Sequence, residues 1–215
     1  MNQSESSTSA TRLHNIREEY CQGSLLEDSL AECPYTQFQI WYQQATAAHV
    51  SKPNAMHLAT YGMDGYPNSR VVLLKEWSTQ GLVFFTDYSS HKGQQIQQNP
   101  KASLNFFWSE LDRQVRVHGS IEKISPAESQ SYFASRPADS QRSAIASLQS
   151  SVVSSKAELE QKVAAVKNLE CPARWGGYIL KPVYFEYWQG QPNRLHDRLV
   201  YTKSATGWDI KRLSP

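Results

Sequence analysis

The sequence predicts a mainly β protein, an antiparallel barrel closed or nearly closed, with helices packed outside it. Three observations predict this. Short runs rich in Val, Ile, Phe, Tyr and Trp recur from Met56 to Ile124 and again from Trp175 to Leu213. Tight turn signals such as Gly62-Met63-Asp64-Gly65 part most of them, which favours antiparallel pairing. Helical patterns are confined to the start of the chain and to a block near residues 126–168.

In chain order, residues 1–11 are polar and read as a disordered tail. A single domain fills residues 12–215 in this reading. A short helix is predicted over residues 12–20, with Ile16 and Tyr20 on one face. Pro34 opens a helix from Tyr35 to His49 that carries Phe38, Trp41 and Tyr42 on one stripe. Strands follow at Met56–Thr60, Asn68–Trp77 and Leu82–Thr86. Ser90–Gln98 reads as a polar helix stopped by Asn99-Pro100. Ala102–Trp108 and Gln114–Ile124 are two more strands.

Ser125-Pro126-Ala127-Glu128 is a capping-box pattern that starts a helix, which Pro137 must end. Asp139-Ser140-Gln141 caps another, reaching Leu148, and Ser155-Lys156-Ala157-Glu158 opens a third, to about Asn168. The chain returns to β from Trp175 to Trp188. A last hairpin, Leu199–Lys203 with Trp208–Leu213, turns at Ser204–Gly207.

Composition narrows the function classes. In 215 residues, 40% are hydrophobic and 20% charged, an ordinary globular balance. Lys and Arg number 22 against 20 acids, net +2, too even for a protein that grips nucleic acid by bulk charge. Three cysteines, Cys21, Cys33 and Cys171, form no C-x-x-C, so a reducing cytoplasm is the simpler location. Apolar runs such as Val71–Leu74 are far shorter than a membrane span, and the N-terminus shows no secretory pattern. No G-x-G-x-x-G, P-loop, G-x-S-x-G or H-E-x-x-H is present, and the six histidines are scattered, so no metal site is predicted.

Several patterns carry chemistry. Read as an extended segment, Arg194-Leu195-His196-Asp197-Arg198 places two fixed cations beside an imidazole on one face. Such a face suits an anionic, ring-bearing ligand, although a solvated basic edge strand has the same pattern. Tyr132 and Arg136 lie one helical turn apart before Pro137, and Ser140 falls where the next helix begins. A helix start offers free N–H groups to a phosphate, although an ordinary helical corner is equally described. Arg70 and Lys75 bracket Val71-Val72-Leu73-Leu74 at an odd spacing, so in a regular strand they face opposite sides and serve different ligands.

Taken in order, these segments resemble the pyridoxine/pyridoxamine 5′-phosphate oxidase family. The matching stretches are Arg70–Lys75, Leu82–Thr86, Asn99-Pro100, Arg113-Gln114-Val115, Tyr132–Gln141, Gln149-Ser150-Ser151, Trp175-Gly176-Gly177, Phe185–Arg198 and Arg212–Pro215. The pair R-P-x-D-S-Q and W-Q-G…R-L-H-D-R, at this separation, carries most of the specificity.

The resemblance implies an FMN-binding split β-barrel, a homodimer with the flavin at the subunit interface. It implies oxidation of pyridoxine 5′-phosphate and pyridoxamine 5′-phosphate by O2 to pyridoxal 5′-phosphate. By the same resemblance, Arg70, Lys92 and the neighbouring His91 face the flavin phosphate, and Val71, Val72, Leu73, Leu74 and Lys75 lie along the cofactor. Phe85, Thr86 and Gln114 line the flavin, and a partner subunit adds Gln149, Ser150, Trp188 and Arg198. Lys75, Tyr132, Arg136 and Ser140 hold the substrate phosphate, while Arg194 and His196 embrace its ring as the catalytic pair. Arg17 to Tyr20 match a segment that folds over the substrate.

His91 stands where the family usually has arginine, which implies weaker FMN binding that strengthens as pH falls. Two rival readings remain beside this one. They are a split-barrel oxidase of another small molecule, and a non-catalytic carrier of flavin or pyridoxal phosphate.

Overall fold

The computed structural model describes Tyr20 and residues 23–215. The expected helix over residues 12–20, apart from Tyr20 itself, lies outside the described residues, as do the tail 1–11, Arg17 and Cys21. Among the described residues, nine strands form one antiparallel sheet: β1 (Ala55–Tyr61), β2 (Pro67–Leu73), β3 (Glu76–Ser78), β4 (Gly81–Asp87), β5 (Lys101–Trp108), β6 (Arg113–Lys123), β7 (Trp175–Gln189), β8 (Asp197–Lys203) and β9 (Trp208–Arg212). Five α-helices of the described residues accompany them: α1 (Pro34–Ala47), α2 (His91–Gln98), α3 (Pro126–Ser135), α4 (Ala138–Ala146) and α5 (Lys156–Ala164).

The strand order is β2-β1-β5-β6-β7-β4-β3, with β8 on β7 and β9 on β8. Its two ends, β2 and β3, are neighbours in sequence, parted only by Leu74 and Lys75. At that point the backbone changes partners. Leu74 N–H donates to Asn54 O at 2.8 Å, and Lys75 N–H donates to Val83 O at 2.9 Å. The sheet closes into a barrel there. The long strand β7 splits its pairing: Trp175–Leu180 lie on β4, and Tyr184–Gln189 lie on β8.

Alternation explains the core. Leu58, Leu104, Phe106, Val115, Val117, Phe84, Leu180 and Phe185 all point inward and are fully buried. Helix α1 closes one side with the stripe seen in the sequence. Its Phe38 packs on Phe106 at 5.1 Å between ring centroids, and Trp41 packs on Tyr187 at 5.1 Å. Burying such side chains contributes roughly 1.5–3 kcal/mol each. Tyr187 is fully buried, and its hydroxyl is satisfied by Pro34 O at 2.6 Å.

Several elements differ from the sequence expectation, among them the first long helix, which ends at Ala47 instead of His49. The strand over Asn68–Trp77 is two strands, because the backbone switches neighbours at Leu74-Lys75. Helix α4 begins at Ala138 with Pro137 as its N-cap, so Asp139 and Ser140 sit in the first turn instead of capping it, and the helix ends at Ala146. Helix α5 stops at Ala164 instead of about Asn168. Its Ser155 caps Glu158 N–H, but the Glu158 carboxylate turns to Ser154, so the second capping box is only half formed. The box at Ser125 and Glu128 is complete. Finally, Arg194–Arg198 is not extended throughout. Asn193 and Arg194 are left-handed, with φ of 55° and 61°, and regular strand starts only at Asp197.

Candidate active site

The break between β2 and β3 opens a cleft of about 790 Å³ on the barrel's side. Val71, Val72, Leu73 and Lys75 come to it from the barrel-closing segment, Phe85 and Thr86 from β4, and Lys92 from α2. The helical block covers the far side with Tyr132, Arg136, Ser140 and Gln149. Thus eleven side chains named from the sequence meet in one place. Leu74 points the other way, into the core, at 3% exposure.

Aromatic rings form one wall. Tyr132 stacks on Phe85 at 3.9 Å between centroids, and Phe85 stacks on Trp175 at 5.5 Å. The Arg136 guanidinium lies over Trp175, 4.8 Å from the ring centroid. Burial lowers the Arg136 pKa, with the neighbouring Tyr132 and Cys171 opposing the shift. Its Nη1 is buried without a hydrogen-bond partner. Beside it, α4 turns Ser140, Ser143 and Ser147 toward the cleft. Arg174 anchors that helix by donating to the carbonyls of Ala144, Ile145 and Ser147 at 3.0, 2.7 and 3.2 Å, while pairing with Asp87 at 3.0 Å.

A second cationic group lies at α2. Lys92 is buried, and its Nζ donates to Gln149 Oε1 and to Ser90 Oγ, the latter at 3.4 Å. Its pKa is pushed down to about 8, first by burial and then by the nearby Arg70, with Asp87 opposing. Arg70 does not line the cleft. It reaches back across β1, donating to Thr60 Oγ1 at 2.6 Å, Leu58 O at 3.2 Å and Gln95 Oε1 at 2.9 Å. Among the described residues, Arg70, Lys92 and Arg136 have no carboxylate partner. His91 is exposed at the first turn of α2, and its main-chain N–H donates to Ser150 Oγ at 3.3 Å. Gln149 and Ser150, which the resemblance gives to a partner subunit, therefore lie against α2 of their own chain.

The remaining named residues gather elsewhere. Gln114, Trp188 and Arg198 form one cross-strand rung over β6, β7 and β8. Arg198 is held by Glu186, with Nε at 2.9 Å and Nη2 at 2.8 Å, and donates through Nη1 to Ser214 O at 2.8 Å. Glu186 also takes Arg116 at 3.1 Å and the Tyr184 hydroxyl at 2.8 Å. Next to the rung, Tyr20 meets Trp188 and His196 edge-on at 5.5 and 5.3 Å, and His196 lies 4.8 Å from Trp188. Burial and then Arg194 lower the His196 pKa. Gly190 makes room for Tyr20, since a Cβ there would stand 2.7 Å from the Tyr20 Cβ. None of these residues lines the cleft.

Comparison with known proteins separates the alternatives. Residues 42–170 match the family described as pyridoxamine 5′-phosphate oxidase, and residues 175–215 match the pyridoxine 5′-phosphate oxidase C-terminal dimerisation region. A pyridoxine/pyridoxamine 5′-phosphate oxidase of Thermosynechococcus vestitus is 50% identical over 210 residues, spanning 95% of this chain and 100% of the relative. The chain belongs to the pyridoxine/pyridoxamine 5′-phosphate oxidase family. A Burkholderia orbicola member of the family is 49% identical over 213 residues, covering 95% of this chain and all of that one. PhzG from Burkholderia lata, solved with tetrahydrophenazine-1-carboxylic acid, superposes with a TM-score of 0.83 at 28% identity, over 89% of this chain and 98% of its own. A pyridoxamine 5′-phosphate oxidase-related, FMN-binding protein from Nostoc punctiforme shares the fold, with a TM-score of 0.69 at 19% identity over 86% of this chain and 100% of its own.

Oxidases of this family use FMN, and the residues present fit it. A buried lysine without a carboxylate, backed by Arg70, suits a phosphate dianion. The orphaned Arg136 Nη1 suits a second phosphate, that of a substrate. Sequence reasoning missed Trp175 as a cleft residue, Ser143 and Ser147 beside Ser140, and Gln95 behind Arg70. The serine spacing, one face of a helix, was a usable signal. Gln95 had none, since it meets Arg70 only through the fold.

Proposed function

We propose that the chain is an FMN-dependent oxidase of pyridoxine 5′-phosphate and pyridoxamine 5′-phosphate, yielding pyridoxal 5′-phosphate for vitamin B6 synthesis and salvage. The observation that carries this reading is that Lys92 and Arg136, neither in an ion pair with a carboxylate among the described residues, line one aromatic-walled cleft. The flavin phosphate goes to Lys92 with Arg70 behind it, and the substrate phosphate goes to Arg136, Lys75, Tyr132 and Ser140. When bound, FMN would supply the hydride acceptor, with O2 as the final oxidant reduced to H2O2, and with the amine substrate water would hydrolyse the oxidised imine to the aldehyde and ammonia.

The protein's part is placement. Charge-assisted contacts of roughly 1.5–3 kcal/mol each anchor the phosphate, so the ring is left to be oriented by other groups. Arg194 and His196 fill that role, Arg194 against the reacting carbon's substituent and His196 along the ring. Both lie away from the cleft of their own chain, as do Gln114, Trp188 and Arg198. A second copy of the chain brings the same residues to the cleft, so each homodimer interface completes the site. Arg17 and Tyr20 close over the substrate in this reading. No described helix is long and apolar enough to cross a membrane. We place the enzyme in the cytoplasm on its cysteine usage.

The likeness to PhzG, solved with tetrahydrophenazine-1-carboxylic acid, keeps a carboxylate-bearing ring ligand in view, but one carboxylate offers fewer acceptor oxygens than the donor set of Arg136, Lys75, Tyr132 and Ser140 can take. The deciding experiment is anaerobic reduction. The FMN-loaded protein is mixed with pyridoxine 5′-phosphate, and the visible flavin absorbance is followed. Bleaching that reverses on admitting air is expected. A flavin that stays yellow with both phosphate esters overturns the reading.

A further inference from the structure

Gln191 lies between the two segments that the proposed reading brings to the substrate ring. Its main-chain N–H donates to His196 Nδ1 at 3.1 Å, so a neutral His196 carries its hydrogen on Nε2. Its side-chain amide has two N–H groups, and both are used. One goes to Asp197 Oδ2 at 2.8 Å, the other to Gly23 O. Asp197 also accepts from Leu25 N–H at 3.0 Å and from Arg212 Nη1 at 2.7 Å. Arg212 in turn grips Glu27 through two contacts of 2.7 and 2.8 Å.

The turn that Gln191 spans needs such a brace. Asn193 and Arg194 are consecutive left-handed residues, and neither is glycine. Apart from Leu195 N–H to Pro192 O, the amide of Gln191 and the carboxylate of Asp197 are what fix its base. On the other side, Gly23 is three residues from Tyr20, whose ring rests on His196 and against Gly190. One side chain therefore links the turn bearing Arg194 and His196 to the segment bearing Tyr20.

We propose that Gln191 is a positioning residue, which holds the Arg194–His196 turn and the Tyr20 segment in one register around the substrate ring. This rests on the reading that Arg194 and His196 receive that ring. Gln191 touches neither cofactor nor substrate in this assignment, and acts through its two neighbours.

Two near-isosteric variants test it. Gln191→Met keeps the volume and removes both donors. Gln191→Lys keeps a donor head that reaches Asp197 and Gly23 O. For Gln191→Met the expected result is a kcat with pyridoxine 5′-phosphate lowered about 3- to 10-fold, with a smaller change in KM. FMN affinity stays unchanged, the melting temperature falls by no more than a few degrees, and amide hydrogen exchange at Gly23–Glu27 in the apoprotein is faster. Gln191→Lys is expected to restore both kcat and slow exchange. Wild-type kcat and exchange in Gln191→Met overturn the proposal, as does a kcat defect that Gln191→Lys leaves in place. Should the wild type oxidise neither ester, the oxidase reading falls by itself. Exchange at Gly23–Glu27 then decides whether Gln191 joins the two segments.

Discussion

Tyr132 stacks on Phe85 with 3.9 Å between ring centroids, and this contact joins helix α3 to strand β4 in one wall of the cleft. The ring and the hydroxyl of Tyr132 therefore have separable tasks. Tyr132→Phe keeps the stack and removes the hydroxyl that the proposed function gives to the substrate phosphate. Its KM for pyridoxine 5′-phosphate should rise about 3- to 10-fold with no change in melting temperature. Tyr132→Ala loses the stack as well, about 0.5–1.5 kcal/mol beyond the buried area. Its melting temperature should fall by at least a few degrees. Equal melting temperatures for the two variants would count against the stack as a structural joint.

Arg136 presents a buried, unpartnered Nη1 beside the Trp175 ring. Losing charge-assisted contacts of roughly 1.5–3 kcal/mol predicts a KM increase of roughly 10- to 150-fold in Arg136→Ala. Arg136→Lys should recover little of it, because an ammonium neither stacks flat on Trp175 nor offers a fork of donors. Steady-state kinetics on both variants, with FMN saturating, make the check. A lysine variant with wild-type KM would show that bare charge suffices.

With Lys92 at the flavin phosphate, as proposed, FMN binding should depend on pH in a defined direction. Its pKa in the folded apoprotein is lowered from 10.5 to about 8, by burial first and by Arg70 second. A bound phosphate favours the charged form, so binding is strongest when Lys92 is protonated. FMN affinity should fall as pH rises above about 8, by up to roughly tenfold per pH unit. The same shift acts oppositely on the apoprotein. Between about 8 and 10.5 the unfolded chain holds more protons at this site than the folded one, so the Lys92 contribution to stability rises with pH there. FMN titrations from pH 7 to 9.5 test this, with Lys92→Gln as the flat reference. A wild-type affinity that ignores pH over that range would remove Lys92 from the phosphate site.

His91 gives a smaller effect. Its side chain is exposed at the first turn of α2, where solvent screens any charge it carries. Exposed ion pairs contribute about 0–1 kcal/mol. His91→Arg should therefore tighten FMN binding at pH 7 by no more than about fivefold, measured by fluorescence quenching. A larger gain would mean that the residue turns into the cleft when the flavin binds.

The barrel was legible in the sequence because its strands alternate. Val115 and Val117 against Arg116 and His118 mark one face buried and one not. What alternation does not encode is a change of neighbour. Val71-Val72-Leu73-Leu74 continues into Lys75 with no Gly, Pro or Asn to mark the switch from β1 to β4, yet that switch opens the cleft. The turn at Asn193-Arg194 did carry a signal, since Pro192 precedes an Asn, a residue that tolerates the left-handed region. The extended reading of Arg194–Arg198 passed over it. Tyr132, Arg136 and Ser140 were readable as a corner because all three are local to one helix-Pro-helix junction. Gln149 was reached only through the family resemblance, because its place beside Thr86 and Lys92 depends on contacts 63 and 57 residues away.

Arg194 offers the sharpest separation of binding from turnover. Its side chain is exposed, and its backbone is held in the left-handed region at φ 61°. The proposed function gives the flavin phosphate to Lys92 with Arg70 behind it, so Arg194→Ala leaves that set intact. If its task is to press the reacting end of the ring into place, kcat should drop by two orders of magnitude or so. FMN affinity should stay within about twofold of wild type. The proposed phosphate anchors Arg136, Lys75, Tyr132 and Ser140 are untouched in this variant, so KM should change less than kcat. Single-turnover reduction of the flavin under anaerobic conditions isolates this step from reoxidation. A variant that loses FMN and turnover in equal measure would assign Arg194 to the cofactor instead of the substrate.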